Sequence, residues 1–228
     1  NAVMRMTMIF QTASRGIASK KRVMEIINCD PAIKSGTYNK ETAVKGKVEF
    51  KNVSFAYPGM DNENVIENFN LVINPGETIG ILGATGCGKS SLVNLIPRFY
   101  DVTKGEVLID GVNVKDYDLQ VLRDKVSIAL QKPEIFSTTI AENIAWGDDS
   151  AGSEKIRQAA DIAQATEFID NRTDGMDTQV SQGGHSLSGG QKQRISIARA
   201  IMKDAPVVIL DEATANVDPE NEKDLMDA

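Results

Sequence analysis

The segment GATGCGKS, residues 83 to 90, restricts the possible folds of this chain more than any other stretch. It fits the pattern G-x-x-x-x-G-K-[ST], in which successive backbone N–H groups turn inward around phosphate oxygens. Side chains would block that approach, which explains Gly83, Gly86 and Gly88. A helix that begins near Lys89 would add the positive end of its dipole. The pattern therefore predicts a buried strand, a phosphate-binding loop and a helix, in that order.

The residues on either side of the loop agree with this order. TIGILG is a short apolar run typical of a buried strand, and GKSSLVNLIPRFY opens a helix that we expect to end at Pro97. Lys89 can bridge the β- and γ-phosphates as a point charge, and the Ser90 hydroxyl can ligate Mg²⁺. Cys87 occupies a variable position of the loop, where a small side chain is tolerated. The alternative is a glycine-rich turn that binds no phosphate.

A second apolar run ends in two acids. VVILDE, residues 207 to 212, predicts a strand with Asp211 and Glu212 at its carboxyl end, where α/β sheets have their ligand sites. An aspartate there can hold Mg²⁺, and a neighbouring carboxylate can orient or deprotonate an attacking water. An acid after a strand is often only a helix cap. Next to a phosphate loop, however, the pair indicates a nucleoside triphosphatase.

The remaining pattern alternates strands with helices and predicts an α/β fold with a mainly parallel sheet. VEFKNVSF and VIENFNLVINPGE indicate an antiparallel layer near the N-terminus, with a possible bulge in the first strand. EVLIDG and KVSIALQ predict further strands. Helices are expected from Ser153, a candidate N-cap, to about Ile169, and from Ser188 to about Lys203.

Composition and charge exclude several classes of protein. The chain is 41% hydrophobic and 25% charged, which is typical of a globular domain. Its net charge of −7 argues against nucleic acid as a partner. Cys29 and Cys87 form neither a disulfide framework nor a metal-binding pair, and this usage indicates a reduced compartment. No run approaches the roughly 18 apolar residues of a membrane-spanning helix, so the chain as given is expected to be soluble.

The N-terminal 46 residues lie outside this pattern. Residues 1–28 combine apolar side chains with the basic cluster Lys20, Lys21 and Arg22, and predict a helix. Residues 29–46 lack periodicity and indicate a linker. The residues alone leave two interpretations of the helix open, an ordinary packing helix or the continuation of a missing upstream part.

LSGGQ, residues 187 to 191, with its continuation KQRISIARA, resembles the signature of ATP-binding-cassette (ABC) ATPases. The order of the other motifs is similar to that of the family as well. FAYPG with Tyr57 comes first, followed by the phosphate loop, Gln131 of SIALQKPEIF, the signature, VVILDE and ATANVD. The resemblance covers residues 47 to 218. It implies a phosphate-loop ATPase core with an α-helical subdomain around the signature.

The resemblance also implies roles for single residues. Tyr57 would stack on adenine, and the phosphates of ATP would be bound by Gly83, Ala84, Thr85, Gly86, Cys87, Gly88, Lys89, Ser90 and Ser91. Mg²⁺ would be held near Ser90, Gln131 and Asp211, and the catalytic residues would be Glu212 as general base, Gln131 and Lys89. Cassettes of this family pair head to tail, so the partner subunit's ATP would be bound by Ser188, Gly189, Gly190 and Gln191. Asp218 would lie at the dimer interface.

Within the family, the chain resembles exporter half-transporters, in QTASRGIASKKRVMEIINCDP, PRFYDVTKGEVLIDGVNV and ENIAWG. This resemblance implies that residues 1–28 are a helical stub continuing from a transmembrane domain of the same polypeptide, with 29–46 as the linker. Residues 47–228 would be the nucleotide-binding domain, with its helical subdomain at about 135–203. The full-length protein would then be integral to the membrane, with this domain at the cytoplasmic face. Alternatives are a soluble cassette protein and a module that dimerises and signals without turnover.

Three departures from the family pattern qualify the resemblance. Gln182 of TQVSQGG stands where exporters usually have a glutamate, and ATANVD differs from the commoner SALD ending in a way that weakly favours a heterodimer subunit. The switch histidine of the family would lie beyond the last residue, so we expect a domain truncated at its C-terminus that binds MgATP with little or no turnover. His185, the only histidine, is interpreted as a loop residue without a catalytic role.

Overall fold

The structure is a computed structural model and describes residues 2–42, 45–60, 63–148 and 150–211. Its helices are α1 (Ala2–Ile27), α2 (Lys89–Asn94), α3 (Leu119–Asp124), α4 (Ile140–Ala145), α5 (Ser153–Ile162), α6 (Thr166–Asp170) and α7 (Gly189–Met202). Its strands are β1 (Val48–Phe55), β2 (Ile66–Ile73), β3 (Lys104–Ile109), β4 (Val112–Asn113), β5 (Val126–Ala129) and β6 (Val207–Leu210). Short turns of 3-10 helix occur at Gly175–Asp177 and Gln182–Gly184. The chain divides into two compact units, Asn1–Lys34 and Ser35–Ala228.

The first unit is built on α1, the helix predicted for residues 1–28. None of its described residues is buried. Its N-terminal half exposes large apolar side chains such as Met4, Met8 and Phe10. Among the described residues, no helix combines the length and the hydropathy that crossing a membrane requires.

The second unit begins with a four-stranded antiparallel sheet in the order β2-β1-β3-β4. The predicted bulge in β1 is present, because the pairing with β2 shifts register between Phe50 and Val53 and again before Phe55. Asn52, within the first of these shifts, has a φ of 48°. The shifts turn Val53, Ser54, Phe55 and Ala56 inward together, and all four are buried. The antiparallel layer predicted from the sequence is therefore confirmed.

The strand predicted at TIGILG is wrong for this structure, since residues 77–84 form neither helix nor strand. Leu82 is 96% exposed, whereas a residue of a central strand would be buried. A cleft of about 410 Å³ separates this segment from β6 and is lined by Ile79 and Ile81 on one side and by Val208 and Leu210 on the other. Paired strands lie about 4.8 Å apart, so a cleft of this size prevents a hydrogen-bonded ladder.

Among the described strands, the only parallel pair is therefore β5 with β6, from Val126 with Val207 to Ala129 with Leu210. The α/β class is confirmed, but the larger sheet of the described residues is the antiparallel one. The helix of the phosphate loop, α2, ends at Asn94, three residues before its predicted end at Pro97.

The helices α4, α5, α6 and α7 form a helical subdomain with its own apolar core, which includes Ile140, Ile144, Ile169 and Ile195. The single helix predicted from Ser153 to about Ile169 is instead two helices. The break lies at Gln164, whose φ is 54°. Gly152, and not Ser153, is the N-cap of α5.

A separate core lies under the antiparallel sheet and contains Phe50, Phe55, Leu95 and Leu122. Strand β5 belongs to both cores, because Val126 packs in the core under the sheet and Ala129 packs in the helical core. The chain leaving β5 therefore emerges where the two cores meet. Gln131 lies two residues beyond that point.

The described residues of the segment predicted as a linker, 29–42 and 45–46, form no helix or strand, but those from Ser35 on are bound to the second unit. The backbone N–H groups of Gly36 and Tyr38 donate to the carbonyls of Tyr117 and Asp116 at 2.8 Å each. Further along, the buried Asp110 carboxylate accepts hydrogen bonds from the N–H groups of Gly46 and Lys47, the Thr42 hydroxyl and the Lys125 ammonium. The residues from Ser35 onward are therefore part of the domain.

Candidate nucleotide site

The phosphate loop has a backbone that requires glycine. Gly86 and Gly88 have φ values of +82° and +94°, in the left-handed region that side chains rarely adopt. A Cβ at Gly83 would overlap the sulfur of Cys87. All three positions therefore favour glycine in this structure, although the strand expected before the loop is missing.

Lys89 and Ser90 are the first two residues of α2, and their side chains contact the phosphate loop and the acidic strand end. The Lys89 ammonium donates to the carbonyls of Gly83 and Ala84 at 2.9 and 3.3 Å, so it lies across the loop. The Ser90 hydroxyl donates to Oδ1 of Asp211 at 3.2 Å. Asp211 is itself fixed by its N–H group, which donates to the Ala129 carbonyl at 3.0 Å and extends the β5–β6 ladder. The loop and the acidic strand end thus meet through a direct hydrogen bond.

A cavity of about 340 Å³ brings most of the predicted nucleotide residues together. It is lined by Tyr57, Val65, Thr85, Gly86, Gly88, Lys89, Ser90, Ser91 and Gln131. Tyr57 shares a hydrogen bond of 2.8 Å with the Ser91 hydroxyl, and the edges of Phe55 and Tyr100 contact its ring at centroid distances of 4.9 and 5.2 Å. The position of the aromatic side chain is therefore fixed by the loop helix and by its aromatic neighbours.

The oxygen-bearing side chains at the edge of this cavity fit a magnesium ion. The Ser90 hydroxyl lines the cavity and bonds to the Asp211 carboxylate, which lines the neighbouring cleft, and Gln131 lines the same cavity as Ser90. Mg²⁺ prefers such hard oxygen ligands and is usually bound by one or two protein groups together with substrate phosphates. In the described part of the chain, no group of three or more His, Cys, Asp or Glu residues forms a protein-only metal cage. This chemistry suits an ion that arrives with a nucleotide.

The signature residues lie at the N-terminus of α7 and do not line this cavity. Ser188 caps the helix, with its hydroxyl accepting from the Gln191 N–H at 3.3 Å, while Gln191 Oε1 accepts from the Ser188 N–H at 3.1 Å. Arg172 donates to the same Oε1 at 3.2 Å. Ser188 and Gly189 are exposed, and a Cβ on Gly189 would meet open space. The exposed helix end can therefore accept a group from another molecule.

Other predicted residues stand apart from the cavity or outside the described residues. His185 is exposed and follows the 3-10 turn that contains Gln182. Glu212 and Asp218 lie outside the described residues, so their roles stay predictions.

The structure adds residues near the site that the motifs did not indicate. Val65 lines the cavity, and Tyr100 holds the Tyr57 ring from the side. Tyr100 belongs to the aromatic pair in PRFYD, but nothing local in the sequence connects Tyr100 with Tyr57, which lies 43 positions earlier. Gln193 of α7 contacts the backbone next to Gln131 and carried no separate signal.

Several ionisable groups outside the cavity have shifted pKa values. Burial, with a contribution from Asp110, raises the pKa of Tyr117 to about 12. Hydrogen bonds from Ser150 and Lys155 lower the pKa of Asp148 to about 2. Burial lowers the pKa of Arg199 and of Lys203. None of these groups lines the cavity, so their shifted pKa values reflect burial and hydrogen bonds elsewhere in the domain.

The fold and the loop define an α/β ATPase core built around a phosphate loop, with an antiparallel β subdomain and a helical subdomain. The family described as ABC transporter matches residues 66–215. The solved structure of a bacterial Atm1-family ABC exporter with ATP bound aligns with a TM-score of 0.88 at 32% identity, over 96% of this chain and 38% of the exporter chain.

Two curated relatives extend the comparison. An ATP-dependent lipid A-core flippase of Pseudomonas aeruginosa is 43% identical over 221 residues, which cover 96% of this chain and 36% of the flippase. ABC transporter B family member 21 of Arabidopsis thaliana is 42% identical over 215 residues, which cover 93% of this chain and 17% of the relative. The chain belongs to the ABC transporter family and corresponds to the nucleotide-binding domain of its exporter-type members. It spans well under half of the length of these relatives.

Proposed function

We propose that this chain is the nucleotide-binding domain of an exporter, which binds MgATP and, within the intact subunit, hydrolyses it. The observation that carries the proposal is the hydrogen bond between Ser90 and Asp211, made beside Lys89 at a cavity that also includes Tyr57 and Gln131. It joins the phosphate loop to the acidic strand end, the two parts that a nucleoside triphosphatase needs close together. Family membership supports the same assignment.

Each residue of the cavity has a role in this proposal. The Lys89 ammonium exchanges the Gly83 and Ala84 carbonyls for β- and γ-phosphate oxygens, which are stronger partners because they are charged. Tyr57 stacks on adenine, a contact that any base can make. Ser90, Asp211 and Gln131 hold the magnesium ion, which neutralises phosphate charge when it is bound. Glu212 accepts a proton from the attacking water.

The signature would act in trans. Ser188, Gly189, Gly190 and Gln191 bind the γ-phosphate on a second nucleotide-binding domain, with Asp218 at the shared interface. The exposed N-terminus of the 14-residue helix α7 supports this role, since its free N–H groups favour an anion. ATP then holds two domains together head to tail, in a homodimer or a heterodimer, and hydrolysis releases them.

The cycle of closing and opening would drive a transmembrane domain of the same polypeptide. We propose that α1 continues from that domain, that residues 29–34 connect it to the nucleotide-binding domain, and that this domain lies at the cytoplasmic face of the membrane. The flippase and exporter relatives support export as the outcome. The residues that would select the exported substrate lie in the transmembrane domain.

The direct test is ATP binding by the chain with Lys89→Ala. Removing the ammonium takes away charge-assisted hydrogen bonds, each worth about 1.5–3 kcal/mol, so the Kd for MgATP is expected to rise about 10- to 100-fold. Calorimetry measures the change. Lys40→Ala, which removes an exposed lysine outside the cavity, is the matched control and should leave the Kd unchanged. Equal affinities of the Lys89→Ala and parent chains would contradict the proposal.

A further inference from the structure

Gln193 is a polar residue buried in the apolar face of α7. It is 1% exposed, and its neighbours Ile195, Ile197 and Ala198 are buried as well. A buried amide is costly unless it finds hydrogen-bond partners. The Nε2 group of Gln193 donates to the carbonyl of Leu130 at 3.3 Å. The amide therefore fixes a point on the backbone of another element.

That point is where the chain leaves β5. Among the described residues, the β5–β6 ladder ends with the bond from the Asp211 N–H to the Ala129 carbonyl. Because successive carbonyls of a strand point to opposite sides, that of Leu130 faces away from β6, and it accepts from Gln193. Leu130 directly precedes Gln131, so α7 supports the backbone one residue before the side chain that lines the cavity.

The same helix holds the far end of this segment. Arg199 donates to the Glu134 carbonyl at 2.9 Å and to the Asn143 carbonyl at 2.9 Å, and its guanidinium lies 5.2 Å from the centre of the Phe136 ring. Residues 130–134 are thus tied to α7 at both ends. Gln131 lies next to the anchor that Gln193 provides.

We propose that Gln193 is a positioning residue for Gln131, and that it couples the signature helix to the magnesium side of the nucleotide cavity. The inference rests on the proposed function, in which Gln131 contacts Mg²⁺ or the attacking water. Since Ser188 caps the N-terminus of α7, a shift of the helix on binding the partner subunit's ATP is passed through Gln193 to the backbone at Leu130. The two ATP sites of a dimer are then linked through this amide.

The test measures ATP turnover in the intact subunit with Gln193→Met, which keeps the length of the side chain and removes the donor. Loss of one neutral hydrogen bond predicts a fall in kcat of about two- to tenfold. The KM for ATP stays unchanged, because Gln193 does not line the cavity, and the Mg²⁺ concentration for half-maximal turnover rises. Unchanged kcat and Mg²⁺ dependence would overturn the inference.

Ser127→Ala provides a matched control. The buried Ser127 hydroxyl donates to the Ala200 carbonyl at 2.7 Å, so this variant also removes a hydrogen bond between β5 and α7 but leaves Leu130 untouched. Its kcat and Mg²⁺ dependence should match those of the parent. Equal effects of the two variants would show general loosening of the helix and refute a positioning role.

A third variant, Gln193→Glu, separates donor loss from changed packing. A protonated carboxyl can donate to the Leu130 carbonyl, whereas a carboxylate cannot, and burial raises the pKa of such a carboxyl. Turnover relative to the parent should therefore recover as the pH falls. A flat pH profile of this ratio would count against the inference.

Gln131→Ala in the same assay distinguishes the two proposals. If Gln131→Ala keeps the kcat of the parent, the role of Gln131 in the proposed function fails, and the positioning inference fails with it. If Gln131→Ala lowers kcat and Gln193→Met does not, only the positioning role is overturned.

Discussion

At the scale of single residues, Tyr57 shows how a site side chain is prepared by its neighbours. Its hydroxyl shares a hydrogen bond with Ser91 of α2, and its ring is contacted edge-on by Phe55 and Tyr100. The ring and the hydroxyl therefore have separable functions. In the proposed function the ring would stack on adenine, and the hydroxyl links the ring to the phosphate loop.

Substitutions at Tyr57 can separate these functions. Tyr57→Ala removes the stacking surface, which is worth about 1–3 kcal/mol per base, so the Kd for ATP should rise about 5- to 100-fold. Tyr57→Phe keeps the ring and should raise the Kd much less. Titration with a fluorescent ATP analogue compares the two. Equal losses in both variants would mean that the hydroxyl, and not the ring, provides the binding energy.

Local conformation at the candidate site was predictable from the sequence where the pattern is local. The phosphate loop spans eight consecutive residues, and its glycines have the backbone that the pattern requires. The role of Gln193 was not predictable, because its partner Leu130 lies 63 positions away and a polar run such as QKQR, residues 191–194, is typical of an exposed helix face. Burial is a property of the folded chain, so the motif alone gave no sign of it.

At the scale of elements, the buried Tyr117 holds the second half of the predicted linker against the domain. Its hydroxyl donates to the Ile109 carbonyl at 3.0 Å, its carbonyl accepts from Gly36, and Tyr38 contacts its ring edge-on at 5.2 Å. Burial is the main effect that raises the pKa of Tyr117 from 10.0 to about 12, and electrostatic repulsion by Asp110 and then by Tyr38 adds to it. The folded domain therefore favours the neutral phenol.

This shift predicts how stability depends on alkaline pH. A phenol whose pKa is raised by folding contributes stability that is present below pH 10 and is lost as the pH rises toward about 12. Tyr117→Phe should be less stable by about 1 kcal/mol at pH 8, because the hydrogen bond to Ile109 is lost. Its stability should fall less steeply above pH 10. Urea unfolding at pH 8, 10 and 11 measures both slopes, and parallel slopes would contradict the assignment.

Elements with local signals were also the predictable ones. Helix α7 follows its predicted N-cap, Ser188, because the capping box with Gln191 lies within four residues. The strand predicted at TIGILG was wrong because a strand requires a hydrogen-bonded partner strand. Here a cleft separates the segment from β6. The break between α5 and α6 at Gln164 involves no proline or glycine, so no residue type in the sequence indicated it.

At the scale of the whole molecule, two apolar cores meet along β5, and the site lies where they join. The sequence predicted the antiparallel layer and the helical subdomain separately. Their junction depends on contacts such as that of Ser127 with Ala200, 73 positions apart, which periodicity cannot supply.

The proposed catalytic cycle would also be a property of the assembled molecule. In the intact subunit, Glu212→Gln should retain ATP binding but remove the base, which typically contributes about 10²- to 10⁴-fold to a rate. ATP should then accumulate in a closed dimer, detectable by size-exclusion chromatography or cross-linking. Glu212→Asp, which keeps the carboxylate, should retain more turnover than Glu212→Gln. Turnover of Glu212→Gln at the parent rate would exclude Glu212 as the base.

The stacked pair Phe136–Trp146 has one more consequence. The ring centroids lie 4.3 Å apart, Arg199 contacts Phe136, and Trp146 is the only tryptophan of the chain. The protein thus carries an intrinsic fluorophore beside the segment that bears Gln131. Any displacement of that segment when nucleotide binds will change the surroundings of a single indole, so emission spectra can follow it in solution without labelling.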